Sequence, residues 1–92
     1  MRLMQIEYTV QIWREGNQFI AHAMPLDVMS AGPSPKEARS AVDEAVRLFV
    51  LTAKDHGTLE EILSEAGYEL RDGVWAPPPA VAFERQSTAV AV

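Results

Sequence analysis

The stretch Ser34–Gly57 constrains this chain more than any other, because it holds the start and the stop of one long helix. Ser34 is a good N-cap, since its hydroxyl can accept a hydrogen bond from a free first-turn amide. Pro35 follows at the first helical position, where a missing N–H costs nothing and the fixed φ suits the helix. Glu37 stands three residues after the cap and is expected to reach back and complete a capping box. Gly57 supplies the left-handed stop. Between them Ala38, Ala41, Val42, Ala45, Val46, Phe49 and Ala53 recur at three- and four-residue spacing, one apolar stripe rich enough in alanine to lie close to a sheet. Arg39, Asp43 and Arg47 stand four apart on its flank, the spacing of a weak surface charge ladder. Leu51 projects away from the stripe. Either it is a lone exposed leucine, or a second helix or another subunit covers it.

The residues before this helix read as strands. Ile6, Tyr8, Val10 and Ile12 alternate with Glu7, Thr9, Gln11 and Trp13, the period of a half-buried strand. Arg14-Glu15-Gly16-Asn17 is a turn signal, and Gln18–Met24 reads as the return strand of a hairpin. Pro25 cannot donate to a ladder and closes that strand. Leu26–Ala31 is expected to form a third strand, broken by Gly32-Pro33. After the helix, Thr58-Leu59-Glu60-Glu61 has the form of a second capping box, and Gly67 that of a second stop. Leu59, Ile62, Leu63 and Ala66 form the apolar face of the short helix between them. Tyr68–Leu70 and Val74–Ala76 flank Arg71-Asp72-Gly73, whose Asp-Gly pair favours a tight hairpin. Pro77-Pro78-Pro79 is a stiff extended spacer. Ala80–Val92 is either a final strand, free to exchange with a neighbour, or a frayed tail. The order β-β-β-α-α-β(-β) predicts an α+β two-layer sandwich, with one long helix packed on an antiparallel-rich sheet. Residues 1–76 would form the domain and residues 77–92 a Pro-led extension.

Composition narrows the function classes. At 92 residues the chain is one small domain, for which oligomerisation is a natural supplement to a modest core. Cysteine is absent, so there is no disulfide framework, thiolate nucleophile or zinc-finger spacing. No apolar run exceeds the four residues of Leu48–Leu51, far short of the roughly 20 residues that span a membrane. Met1-Arg2-Leu3-Met4-Gln5 lacks the apolar core of a signal peptide, so a cytoplasmic protein is expected. Thirteen acidic against eight basic residues give a net charge of −5. That balance argues against gripping a nucleic-acid backbone and suits a basic protein partner.

No catalytic constellation stands out. His22 falls on the solvent side of a strand, and His56 beside a helix end, where a cation is favourable. Neither has an acidic residue at recognisable ligand spacing. Glu60, Glu61 and Glu65 read as a solvated face that complements a helix dipole rather than as a metal site. No phosphate-binding glycine loop or nucleophile elbow occurs, and Ser34 is explained as a cap. The chain therefore reads as neither an enzyme nor a cofactor or metal carrier. Trp13 and Trp75 are either interface anchors or are packed beneath the C-terminal tail. With Leu51 and Phe83 they are the candidate partner or oligomer contacts.

From Tyr8 to about Leu70 the chain resembles the HicB family of antitoxins and stand-alone HicB-like domains. The resemblance is carried by Phe19-Ile20-Ala21, by Leu26–Gly32, by Ser34-Pro35-Lys36-Glu37-Ala38, by Asp43–Phe49 and by Leu59–Tyr68, in that order and spacing. It implies a curtailed ribonuclease-H-type sheet with one long helix on it and no catalytic activity. It also implies a protein that binds and neutralises a small basic HicA-type toxin, an RNA-cleaving protein. Full antitoxins of the family add a C-terminal DNA-binding module. Here Gly67 is followed by a hairpin, three prolines and a short tail with Arg71 and Arg85 as its only basic residues, so direct DNA binding is not expected. The alternative is a stand-alone homo-oligomeric HicB-like scaffold or small-ligand binder. Either way a homodimer or larger assembly is expected, from small size, Leu51 and a terminal strand able to pair with a neighbour's sheet edge.

Overall fold

The computed structural model describes Leu3–Val92. Its elements are β1 (Gln5–Ile6), β2 (Thr9–Glu15), β3 (Gln18–Met24), β4 (Val28–Gly32), α1 (Pro35–Asp55), α2 (Leu59–Glu65), β5 (Glu69–Arg71) and β6 (Val74–Ala76). The chain is a small α+β protein with two sheets and two helices. β2, β3 and β4 form an antiparallel meander with β3 in the centre. β1, β6 and β5 form a second sheet, in which β1 pairs parallel with β6.

That second sheet corrects the expectation of a single antiparallel-rich one. The alternating run from Ile6 to Trp13 is not one strand. It breaks at Glu7-Tyr8, because Gln5 and Ile6 pair with Val74 and Trp75 from the far end of the chain, and the Glu7 N–H donates to the Trp75 carbonyl (3.0 Å). Alternation reports which face of a strand is apolar and cannot report which sheet claims it.

α1 lies across β4 and β3 and reaches β2. Where it crosses, both surfaces are small. Ala21 and Ala23 of β3 and Ala38 and Val42 of α1 are fully buried. The approach is closest at Gly32, where a Cβ would lie 2.6 Å from the Ala38 backbone nitrogen. One core continues from this layer to Leu59, Leu63, Tyr68 and Trp75, joining both sheets and both helices.

The helix ends follow their local chemistry with two changes. The Glu37 N–H donates to Ser34 Oγ (3.1 Å), closing the N-cap of α1, but the Ser34 hydroxyl donates to Glu37 Oε2 (3.1 Å), so the carboxylate grips the side chain. At α2 the Thr58 hydroxyl makes no cap and donates instead to the Ala53 carbonyl (3.3 Å). That carbonyl, near the end of α1, also accepts the Thr58 N–H, which is why the second capping box does not form. Gly57 and Gly67 hold φ of 73° and 89°, as the two stops require. The second hairpin turns on Asp72 (φ 50°) and Gly73 (φ 80°), both left-handed. Regular structure ends at Ala76. Pro78 rests against Gly67, and the chain from Ala80 onward is exposed and forms neither strand nor helix.

Candidate interaction surfaces

Strand alternation gives the β2-β3-β4 sheet two unlike faces. The inner face carries Val10, Ile12, Phe19, Ala21, Ala23 and Val28 beneath α1. Among the described residues no helix or second sheet packs on the outer face. There Trp13 pairs with Ile20, and Ile20 with Ala31, across the three strands; His22 pairs with Met29 one row along. Met24 and Met29 are 45% and 52% exposed.

This outer face contains a pair that sequence spacing did not disclose. His22 Nε2 lies 2.6 Å from Asp27 Oδ1. An ionised carboxylate only accepts, so the ring nitrogen carries the hydrogen. The two come together because the chain turns at Leu26-Asp27, where Asp27 takes φ 61°, and returns as β4. The Trp13 ring stands edge-on to His22 with centroids 6.3 Å apart, and its indole N–H donates to Glu15 Oε1 (3.0 Å). Trp13 and Asp27 thus hold the His22 ring from two sides.

A second surface lies between the helices. Ala45, Leu48, Phe49, His56, Thr58 and Ile62 line an open groove of about 460 Å³. Leu48 is 58% exposed on its rim, and Leu51 is one turn further along the same helix, exposed and uncovered by α2. Glu44, Asp55 and Glu61 each adjoin a lining position in sequence, and Glu60 stands two residues from Thr58 and Ile62. Against them on α1 are Arg47 and Lys54. Leu48 borders the alanine stripe beside Ala41, whereas Leu51 stands well away from it around the helix.

Two tyrosines bind the layers together. Tyr8 donates to Asp43 Oδ1 (2.7 Å), tying the start of β2 to α1. Burial and the Asp43 carboxylate push its phenol up to about 12. Tyr68 donates to the Glu7 carbonyl (2.6 Å), and burial, aided by the Glu7 charge, pushes it up to about 12 as well. Asp43 is therefore engaged with Tyr8, and among the described residues no ion pair joins it to Arg39 or Arg47.

The four candidate contacts from the sequence do not converge. Trp13 is half-buried on the outer sheet face, Leu51 is exposed on α1 outside the groove lining, and Phe83 is 83% exposed in the tail. Trp75 is 8% exposed within the core, so it is neither a surface anchor nor packed beneath the tail. Its burial follows from the β1–β6 pairing, which places it between the sheets' shared core residues. Among the described residues no group of His, Asp and Glu could hold a metal ion, and no helix is long and apolar enough to cross a membrane. No family model, curated protein or solved structure matches the chain.

Proposed function

We propose that this chain is a non-catalytic, HicB-like antitoxin-type protein that binds and neutralises a small basic RNA-cleaving toxin of the HicA type. The observation that carries the reading is the open groove between α1 and α2, lined mostly by apolar residues and carrying more acid than base on its helices. Apolar contacts buried in such a groove supply affinity, while surrounding charge of one sign steers an oppositely charged partner and sets orientation. The net charge of −5 acts in the same direction. The element order and the motifs from Tyr8 to Leu70 supply the family expectation.

Co-expression with the short basic reading frame expected beside its gene tests the reading. Relief of growth arrest by the chain, lost in Leu48→Glu, is the expected result. No relief by the unaltered chain overturns it.

A stand-alone homo-oligomeric HicB-like scaffold is the second reading, favoured by the uncovered sheet face around Trp13. It predicts a stable oligomer and no growth phenotype with any neighbouring gene.

A further inference from the structure

We infer that the chain forms a homodimer by reciprocal tail exchange, in which the extended segment around Val81–Phe83 of one copy lies along the free edge of β2 in the other and seats Phe83 beside Trp13. Three features of the molecule converge on this.

The first is the edge. Among the described strands β2 has a hydrogen-bonded neighbour on one side only. It is seven residues long, with no proline, lysine or bulge to discourage pairing. Proteins normally blunt such an edge. The opposite edge, β4, is blunted. It is five residues long, Pro25 and Pro33 flank it closely, and its Gly32 end is pressed against α1.

The second is the tail. Val81 and Phe83 are 99% and 83% exposed and stand two apart, so both would fall on one face of an added strand. Among the described residues nothing buries either side chain. Pro77-Pro78-Pro79, with Pro78 seated on Gly67, carries it away from the body. The radius of gyration is 15.7 Å, against about 12 Å for a compact chain of this length, and the long axis of 54 Å is nearly twice the next at 30 Å.

The third is size. A standard interface engages roughly 20–30 residues a side. In a twofold exchange each copy gives the thirteen residues Ala80–Val92 and receives the other tail along the seven residues of β2. One tail alone would fall short of that range, and reciprocity roughly reaches it.

Light scattering of the 92-residue chain should report twice 10.2 kDa. Phe83→Asp, a change at a side chain 83% exposed in its own chain, should leave the circular dichroism unchanged and halve the mass. The cysteine-free background permits a direct mapping. Mixed Gln11→Cys and Phe83→Cys chains should oxidise to a heterodimer much faster than Phe83→Cys with Ser40→Cys on the helix side. A monomeric mass for the unaltered chain, a dimer indifferent to Phe83→Asp, or equal crosslinking to both positions would each overturn the exchange. Toxin neutralisation, which uses the other face, should survive Phe83→Asp.

Discussion

The two faces of β3 differ in a way that hydrophobicity alone would rank backwards. Its inner positions are Phe19, Ala21 and Ala23, and its outer positions Ile20, His22 and Met24. The smaller residues are the buried ones. Ala21 and Ala23 are sealed because Ala38 and Val42 let α1 come down onto them, and Gly32 removes the last side chain from the point of closest approach. Ile20 and Met24 have more apolar surface and less cover, because no element among the described residues lies above them. Burial is decided by what packs opposite, and a small residue facing a small residue permits the closer fit.

The largest effects should therefore come from enlarging the inner face. Ala21→Leu and Gly32→Ala each force side-chain or backbone shifts against α1, and overpacking of this kind typically costs about 1–3 kcal/mol. Urea unfolding followed by circular dichroism measures it; a neutral Ala21→Leu would mean that α1 does not close on β3. Next comes the helix itself. Ser34→Ala removes the acceptor of the Glu37 N–H and should cost about 1 kcal/mol in the same assay.

The tyrosine ties give a pH dependence of definite sign. Both phenols are raised from 10 to about 12, so between those values the folded chain keeps protons that the unfolded chain has lost. Their stabilisation is complete below pH 10 and fades as pH rises toward 12. Tyr8→Phe should make that alkaline decline shallower, visible as a smaller fall in Tm across the window. An undiminished fall would detach Tyr8 from the titration. The smallest effect should be on the outer face, where Met29→Gln should change monomer stability by less than about 0.5 kcal/mol. A loss as large as that of Ala21→Leu would show that the outer face is covered within the single chain.

Much of the fold was legible in the residues. The N-cap at Ser34, the glycine stops, the Gly16-Asn17 turn, the hairpin about Asp72-Gly73 and the span Gln18–Met24 are all short-range chemistry, and each stands where its residues place it. The interaction surfaces were legible only in pieces. Leu51 and Trp13 were visible as apolar residues off the packed stripe, but not the groove that Leu48 and Ile62 build from two helices. Nor was the His22–Asp27 pair, which depends on how the turn after Leu26 is folded.

By itself the sequence determined where helices start and stop, where the chain turns, and which side of each strand is apolar. Those choices depend on residues within four or five positions of one another. Tertiary structure alone decided that Gln5-Ile6 leaves the first hairpin to pair with β6, that Trp75 is sealed in the core, that Asp43 answers Tyr8 rather than its helical neighbours, and that Thr58 turns back to Ala53. Each of these is a competition between a local partner and another offered by a packed element, most of them distant in the chain. Its outcome depends on which groups folding removes from water, a quantity that spacing along the chain does not encode.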